Sequence, residues 1–183
     1  YTHVLFHDGW DGMFTGPLDE VWDKYTAMGR PQMLISAFYQ LGNVSDEEKQ
    51  YPSCFDHSVR YCYPNRGGYI AEVPYLIEAF KRMLTLPRQT GDDCFNHYDA
   101  WQEGWYRPML DSDCQIFQVT DGDCQVRLVP NQTDCELRWP VRLVNTHTNS
   151  QSCLLHLSGG YTDQVTGKDH VMVPWAKRLG VIE

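Results

Sequence analysis

The stretch Val4-Leu-Phe-His-Asp-Gly-Trp-Asp11 decides how the rest of this chain is interpreted. The apolar run that leads into it, His3 to Phe6, predicts a short buried strand, and Asp8 and Asp11 follow where that strand ends. In open α/β sheets, ligands bind beyond the carboxyl ends of the strands. Two carboxylates on one strand-ending turn can face a common point, and hard oxygen ligands suit Mg²⁺ or Mn²⁺. The alternative is a polar turn that only caps the strand.

Turn residues and apolar spacing outline the elements that follow. Gly16-Pro17 opens a helix that Gly29 ends, and Pro74 opens a second helix. Further strands are predicted at Met33–Phe38, Gly68–Val73, Gln115–Val119, Cys124–Val129, Val141–Asn145 and Cys153–Leu157. Asp121-Gly122 between two of these runs predicts a hairpin. This order predicts one α/β domain over residues 1–183, with a mixed sheet flanked by helices and a C-terminal β-hairpin region.

Two finer expectations concern packing and loops. Residues 39–66 are polar and are expected to form a long loop. The second helix is expected to present one apolar face, formed by Leu76, Ile77, Phe80, Met83 and Leu84.

Charge and cysteine content limit the function classes. The formal net charge of −9 argues against a nucleic-acid partner, and no apolar run is long enough to span a membrane. No C-x-x-C pair occurs among the seven cysteines, which disfavours a zinc site. The cysteine number, with glycosylation acceptors at Asn43 and Asn131, favours the lumen of the secretory pathway (endoplasmic reticulum or Golgi). A cytoplasmic location is the alternative.

Three further motifs bear residues suited to chemistry. His156 precedes a turn with Gly159 and follows a strand, so it suits a metal ligand or a structural histidine. The stretch Asn65-Arg-Gly67-Gly68 suits close approach to a ligand, or an ordinary turn. Asp92-Asp93 suits a base or sugar-orienting pair, or a helix cap.

Taken together and in order, these motifs resemble the glycosyltransferase domain of procollagen lysyl hydroxylases and related procollagen glycosyltransferases. The similar segments are Val4–Asp11, Gly16-Pro17-Leu-Asp-Glu-Val21, Tyr61-Cys-Tyr-Pro-Asn65-Arg-Gly-Gly-Tyr-Ile70, Asp92-Asp93, Leu110-Asp-Ser-Asp-Cys-Gln-Ile-Phe-Gln118 and Leu155-His156-Leu-Ser-Gly159. The resemblance implies a fold of the GT-A type. It also implies an upstream nucleotide-binding part, so the chain is expected to be the C-terminal two-thirds of a longer domain.

The resemblance also implies roles for individual residues. Asp8, Asp11 and His156 would bind Mn²⁺ or Mg²⁺. The donor, a UDP-sugar, would contact Trp10, Asn65, Gly67, Gly68 and Gly159. Asp92 and Asp93 would be catalytic, orienting the sugar or the acceptor.

Three functions follow as hypotheses. The first is a metal-dependent glycosyltransferase that moves a hexose from a UDP-sugar to a hydroxyl of a glycan or protein acceptor. The second is a non-catalytic carbohydrate-binding or scaffold module that retains the fold, since 13% of the residues are aromatic and could stack on sugars. The third, and least favoured, is a metal-dependent hydrolase.

Overall fold

The computed structural model of the chain describes residues 1–9, 12–38, 60–86, 100, 104–120, 126–130 and 141–157. Within these ranges lie ten strands and two helices. The strands are β1 His3–His7, β2 Gly12–Phe14, β3 Met33–Phe38, β4 Tyr63–Glu72, β5 Met109–Leu110, β6 Phe117–Thr120, β7 Val126–Pro130, β8 Val141–Asn145, β9 Gln151–Ser152 and β10 Leu154–Leu157. The helices are α1 Leu18–Ala27 and α2 Val73–Met83.

The largest sheet has the strand order β1-β4-β3-β5 and carries a helix on each face. Only the β3–β5 pair is parallel. Alternating residues of β3 pack in opposite directions, as the two-residue period of a strand requires. Met33 and Ile35 pack with α2, whereas Leu34 packs with Val21 and Tyr25 of α1. The predicted mixed α/β architecture is therefore confirmed at this level.

Two three-stranded sheets complete the described part of the chain. One has the order β2-β10-β6, with β10 antiparallel to β2 and parallel to β6. The other is the antiparallel series β7-β8-β9. The guanidinium of Arg142 in β8 donates two hydrogen bonds to the Glu20 carboxylate of α1, at 2.7 and 2.8 Å. This bidentate pair ties the third sheet to the first helix.

Several predicted elements agree closely with the structure. β3 and β8 have the predicted bounds, and β1 and β10 differ from the prediction by one residue at one end. Helix α1 is followed by Gly29 in the left-handed region, with φ +87°, as a glycine stop signal predicts. None of the described helices is long and apolar enough to cross a membrane.

Two finer predictions are wrong in the part of the chain that the structure describes. β6 and β7 do not pair as a hairpin, because the fully buried β6 lies beside β10 while β7 pairs with β8. The antiparallel pairs of this region join β7 to β8 and β8 to β9 instead. The presumed loop is also shorter than expected, because β4 begins at Tyr63.

The buried face of α2 is narrower than predicted. Its inward side consists of Leu76, Ala79 and Met83. Three other residues of the predicted apolar face are exposed: Ile77, Phe80 and Leu84. The three inward side chains share a buried cluster with Met33 and Ile35 of β3.

Candidate functional site

An irregularity in β4 shapes one edge of the largest sheet. Ile35 pairs with Tyr69, but the next residue, Ser36, pairs with Asn65, so the residues between them in β4 have no partner in β3. Such bulges redirect the backbone and are common beside functional sites. Here the carbonyl of Gly67 accepts a hydrogen bond of 2.9 Å from the Asp8 N–H, just beyond the end of β1.

His156 of β10 reaches the same bulge from the second sheet. Its side chain is buried, and its Nδ1 lies 2.8 Å from Oδ1 of Asn65. We call the group formed by Asp8, Asn65, Gly67 and His156 the rim. The structure thus brings together residues from β4, from β10 and from the position after β1.

The hydrogen bonds of Asn65 assign the tautomer of His156. Oδ1 of Asn65 accepts from the Gly67 N–H at 2.9 Å and from the hydroxyl of Ser36 at 3.2 Å. A backbone N–H can only donate, so this atom is the acceptor and His156 Nδ1 is its donor. In the neutral form of the ring, the lone pair is then on Nε2. Metal-binding histidines are held in this way, with one ring nitrogen donating and the other bearing the lone pair.

Gly67 of the rim and its neighbour Gly68 make room for aromatic rings of the chain itself. A Cβ on Gly67 would lie 2.0 to 2.5 Å from three atoms of the His156 imidazole. A Cβ on Gly68 would lie 2.6 Å from the ring of Phe117. Internal packing therefore accounts for the need for glycine at both positions. Their predicted contact with a donor sugar stays a prediction.

Asp8 and His156 both contact Gly67. The backbone N–H of Asp8 binds the Gly67 carbonyl, and the ring of His156 packs against Gly67. The remaining predicted site residues lie outside the described residues: Trp10, Asp11, Asp92, Asp93 and Gly159. Within the described ranges, no group of three or more His, Cys, Asp or Glu side chains is placed to hold a metal ion. The predicted ligand set includes Asp11, so the described residues supply two of its three members.

Ser36 belongs to the support of the rim and was missed by the sequence analysis. Its hydroxyl is fully buried and lies 2.6 Å from the Asn65 carbonyl oxygen, in addition to its contact with Oδ1. The available signal was a single polar residue inside the apolar run Met33–Phe38. A buried hydroxyl needs a hydrogen-bond partner, and here the partner is the residue that orients His156.

A second buried carboxylate, that of Asp111, is engaged in structure. It accepts three backbone N–H bonds of 2.8 Å, from Gln115, Ile116 and Phe117. Burial raises the pKa of Asp111 to about 6, and these three donors limit the rise. The carboxylate fixes the turn that leads into β6. This structural role explains the acidic residue Asp111 in the Leu110–Gln118 segment, and no ligand is needed to account for it.

Two buried cysteines are part of the packed interior and not of a reactive site. Cys114 and Cys153 are free thiols with no exposed surface. Burial raises the pKa of Cys153 to about 11, so its reactive thiolate form is suppressed. Neither thiol forms a disulfide, and the secretory location stays a prediction.

A comparison with protein-family models and a search of curated proteins both find no match for this chain. The resemblance to the procollagen lysyl hydroxylase glycosyltransferase domain therefore stays a prediction. The rim is the part of the molecule from which a function can be proposed.

Proposed function

We propose that this chain is the metal- and acceptor-binding part of a GT-A-type glycosyltransferase, which moves a hexose from a UDP-sugar to a hydroxyl acceptor. The observation that carries the proposal is the bond from His156 Nδ1 to Asn65 Oδ1, on the rim that also bears Asp8. That bond directs the lone pair of the imidazole to Nε2. An oriented imidazole and the carboxylate of an aspartate that directly follows a strand are the donor types expected of a divalent-metal site.

Asp8 and His156, with Asp11, would hold Mn²⁺ or Mg²⁺. When bound, such a cation neutralises charge on the donor diphosphate and stabilises the departing UDP. The chain itself has a formal net charge of −9, so a cation offers the most direct compensation for a bound diphosphate. The protein's own contribution is to fix the imidazole. Asn65 holds the ring through Nδ1, and Ser36 in turn holds Asn65.

The other predicted residues complete the proposal. Trp10 would lie against the nucleotide, and Gly159 would offer backbone N–H groups near the phosphates. Asp92 and Asp93 would orient the transferred sugar or the acceptor hydroxyl. The acceptor would be a glycan or a protein, reached in the lumen of the secretory pathway.

Matched isosteric variants test the ligand assignment. His156→Asn places an amide nitrogen as many bonds from Cα as Nδ1, so it can still donate to Asn65 but has nothing in place of Nε2. Asp8→Asn removes the charge with little change of shape. Asp19→Asn, on the exposed first turn of α1, is the control. Electron paramagnetic resonance titration of free Mn²⁺ would measure binding, and circular dichroism would monitor the fold.

We expect both rim variants to lose at least tenfold in Mn²⁺ affinity while they stay folded, and the control to bind like the wild type. Mn²⁺ binding that is unchanged in His156→Asn and Asp8→Asn would refute the assignment. Mass spectrometry of products from UDP-hexoses then identifies the reaction. Transfer to an added glycan supports the proposal, whereas glycan binding without Mn²⁺ or UDP binding supports the carbohydrate-binding alternative.

A further inference from the structure

A second histidine, His7, lies beside the rim and is not one of the proposed metal ligands. It is the last residue of β1 and immediately precedes Asp8. Its Nε2 is 3.3 Å from the carbonyl oxygen of Leu155, the residue before His156. Because a carbonyl oxygen only accepts, Nε2 of His7 is the donor. The side chain of His7, which precedes Asp8, thus bonds to the backbone of Leu155, which precedes His156.

The ring of each histidine packs against a glycine of the other sheet, and we call His7 and His156 the crossed pair. A Cβ on Gly12 would lie 1.9 and 2.3 Å from atoms of the His7 ring, and Gly12 is the register partner of His156. In the opposite direction, the His156 ring packs on Gly67, whose carbonyl binds the Asp8 N–H. Each imidazole of this crossed pair therefore occupies the space above a glycine of the other sheet.

This arrangement fixes the ends of β1 and β10 with respect to each other. The largest sheet carries β1, and the second sheet carries β10, so no ladder of strand hydrogen bonds joins these two strands. The bond from His7 to Leu155 and the two ring-to-glycine contacts connect the ends of the two strands, in addition to the packing of Leu5 on the buried cluster that includes Leu154. A shift of about 1 Å between positioned groups is enough to impair a site of this kind.

We propose that His7 is a positioning residue that sets the separation of Asp8 and His156 through its bond to the Leu155 carbonyl. The metal part of this inference rests on the proposed function, whereas the connection between the strands does not. His7 acts here through its donor hydrogen and the shape of its ring. A replacement that keeps a donor at the position of Nε2 should keep the effect.

The test compares three replacements of His7. His7→Gln carries an amide nitrogen as many bonds from Cα as Nε2 and can reach the Leu155 carbonyl. His7→Asn carries its nitrogen one bond nearer to Cα and falls short, and His7→Leu has no donor. The control is His147→Leu, at an exposed turn after β8. Amide hydrogen exchange of β10 without metal would report the strand connection, and Mn²⁺ titration would report the separation of the ligands.

We expect faster exchange at the end of β10 in His7→Leu and His7→Asn, and Mn²⁺ affinity lower by about tenfold or more. His7→Gln should stay within about threefold of the wild type in both measurements. Wild-type exchange and affinity in both His7→Leu and His7→Asn would overturn the inference, as would failure of folded His7→Gln to restore them. If His7→Leu does not fold, the His7→Gln and His7→Asn pair decides alone. If the wild type binds no Mn²⁺, the proposed function fails, and hydrogen exchange still decides the strand connection.

Discussion

Replacement of Gly67 by alanine would place a methyl group inside the space now held by the His156 ring. The added Cβ would lie 2.0 Å from Cε1, 2.3 Å from Nδ1 and 2.5 Å from Nε2. Real Cβ atoms essentially never approach another heavy atom within 3.0 Å, so the ring has to move by about 1 Å. The φ angle of Gly67 is not in the left-handed region, so the effect comes from space rather than backbone strain.

The cost has two parts. Overpacking a filled site typically costs about 1–3 kcal/mol of unfolding free energy. A displaced ring also loses its 2.8 Å bond to Asn65, and a buried polar group without a partner costs about 1–3 kcal/mol. The reduced entropy of the unfolded chain offsets about 0.4–1 kcal/mol. We therefore expect Gly67→Ala to lower the unfolding free energy by about 2–4 kcal/mol, or Tm by roughly 5–15 °C for a domain of this size.

Urea unfolding of a double-mutant cycle isolates the clash. His156→Ala removes the ring, so the methyl group of Gly67→Ala then finds room and should cost less than about 1 kcal/mol. Gly9→Ala is the matched control, because nothing lies within 4 Å of a Cβ at that position and Gly9 is exposed. We expect the control to change stability by no more than about 0.5 kcal/mol.

We expect the ring of His156, and no other group, to be what forbids a side chain at Gly67. Equal destabilisation by Gly67→Ala in the wild-type and His156→Ala backgrounds would refute it, since the obstacle would then lie elsewhere. A Gly67→Ala variant as stable as Gly9→Ala would refute it as well. Mn²⁺ titration of the same proteins would show whether displacement of the ring also weakens metal binding.

Two further predictions concern the support of the rim and the link between sheets. Asn65→Ala removes the acceptor of three hydrogen bonds, so we expect a loss of about 2–4 kcal/mol in urea unfolding and of about 10- to 100-fold in Mn²⁺ affinity; unchanged affinity would contradict the role given to Asn65. Burial tends to raise the pKa of Glu20, but hydrogen bonds from Arg142 and Lys24 lower it to about 2 from its ordinary 4.5. Because the folded-state pKa is depressed, this contribution to stability is present above pH 4.5 and is lost as the pH falls toward 2, and it amounts to about 1–2 kcal/mol after solvent screening. The stability deficit of Glu20→Gln relative to the wild type should therefore shrink between neutral pH and about pH 3 by roughly half of that amount or somewhat more. A deficit independent of pH would contradict the assignment.

Apolar runs and turn residues were enough to predict some strands with their bounds. The run Met33–Phe38 is apolar and bounded by turn residues, and it forms β3 with those bounds. The hairpin at Asp121-Gly122 was wrong because a turn signal does not choose a partner for each strand. The partner of β6 is β10, a strand that follows three others in the chain, and its pairing satisfies the backbone of a fully buried segment.

The rim also combines residues that the sequence pointed to with contacts that it did not predict. The rule that ligands collect beyond strand ends applies to Asp8, which follows β1, whereas His156 was predicted to follow a strand and lies within β10 instead. The structure nevertheless brings both residues to Gly67. The bond that orients the imidazole could not be predicted, because His156 and Asn65 are 91 residues apart in the sequence. Which glycine leaves space for which ring depends on register and on the bulge in β4, and neither has a signature in a single sequence.

The structure changes which residues can support a functional claim. Gly67 and Gly68 fit against rings of this chain, so their presence alone no longer indicates that a ligand approaches the backbone. The orientation of His156 is what the proposed metal site depends on. A buried histidine needs hydrogen-bond partners whether or not it binds a metal, so the bond from Nδ1 to the amide that Ser36 also holds fits a structural role as well. The two roles differ in whether Nε2 binds Mn²⁺, and the His156→Asn variant separates them because it keeps a donor to Asn65 but has nothing in place of Nε2.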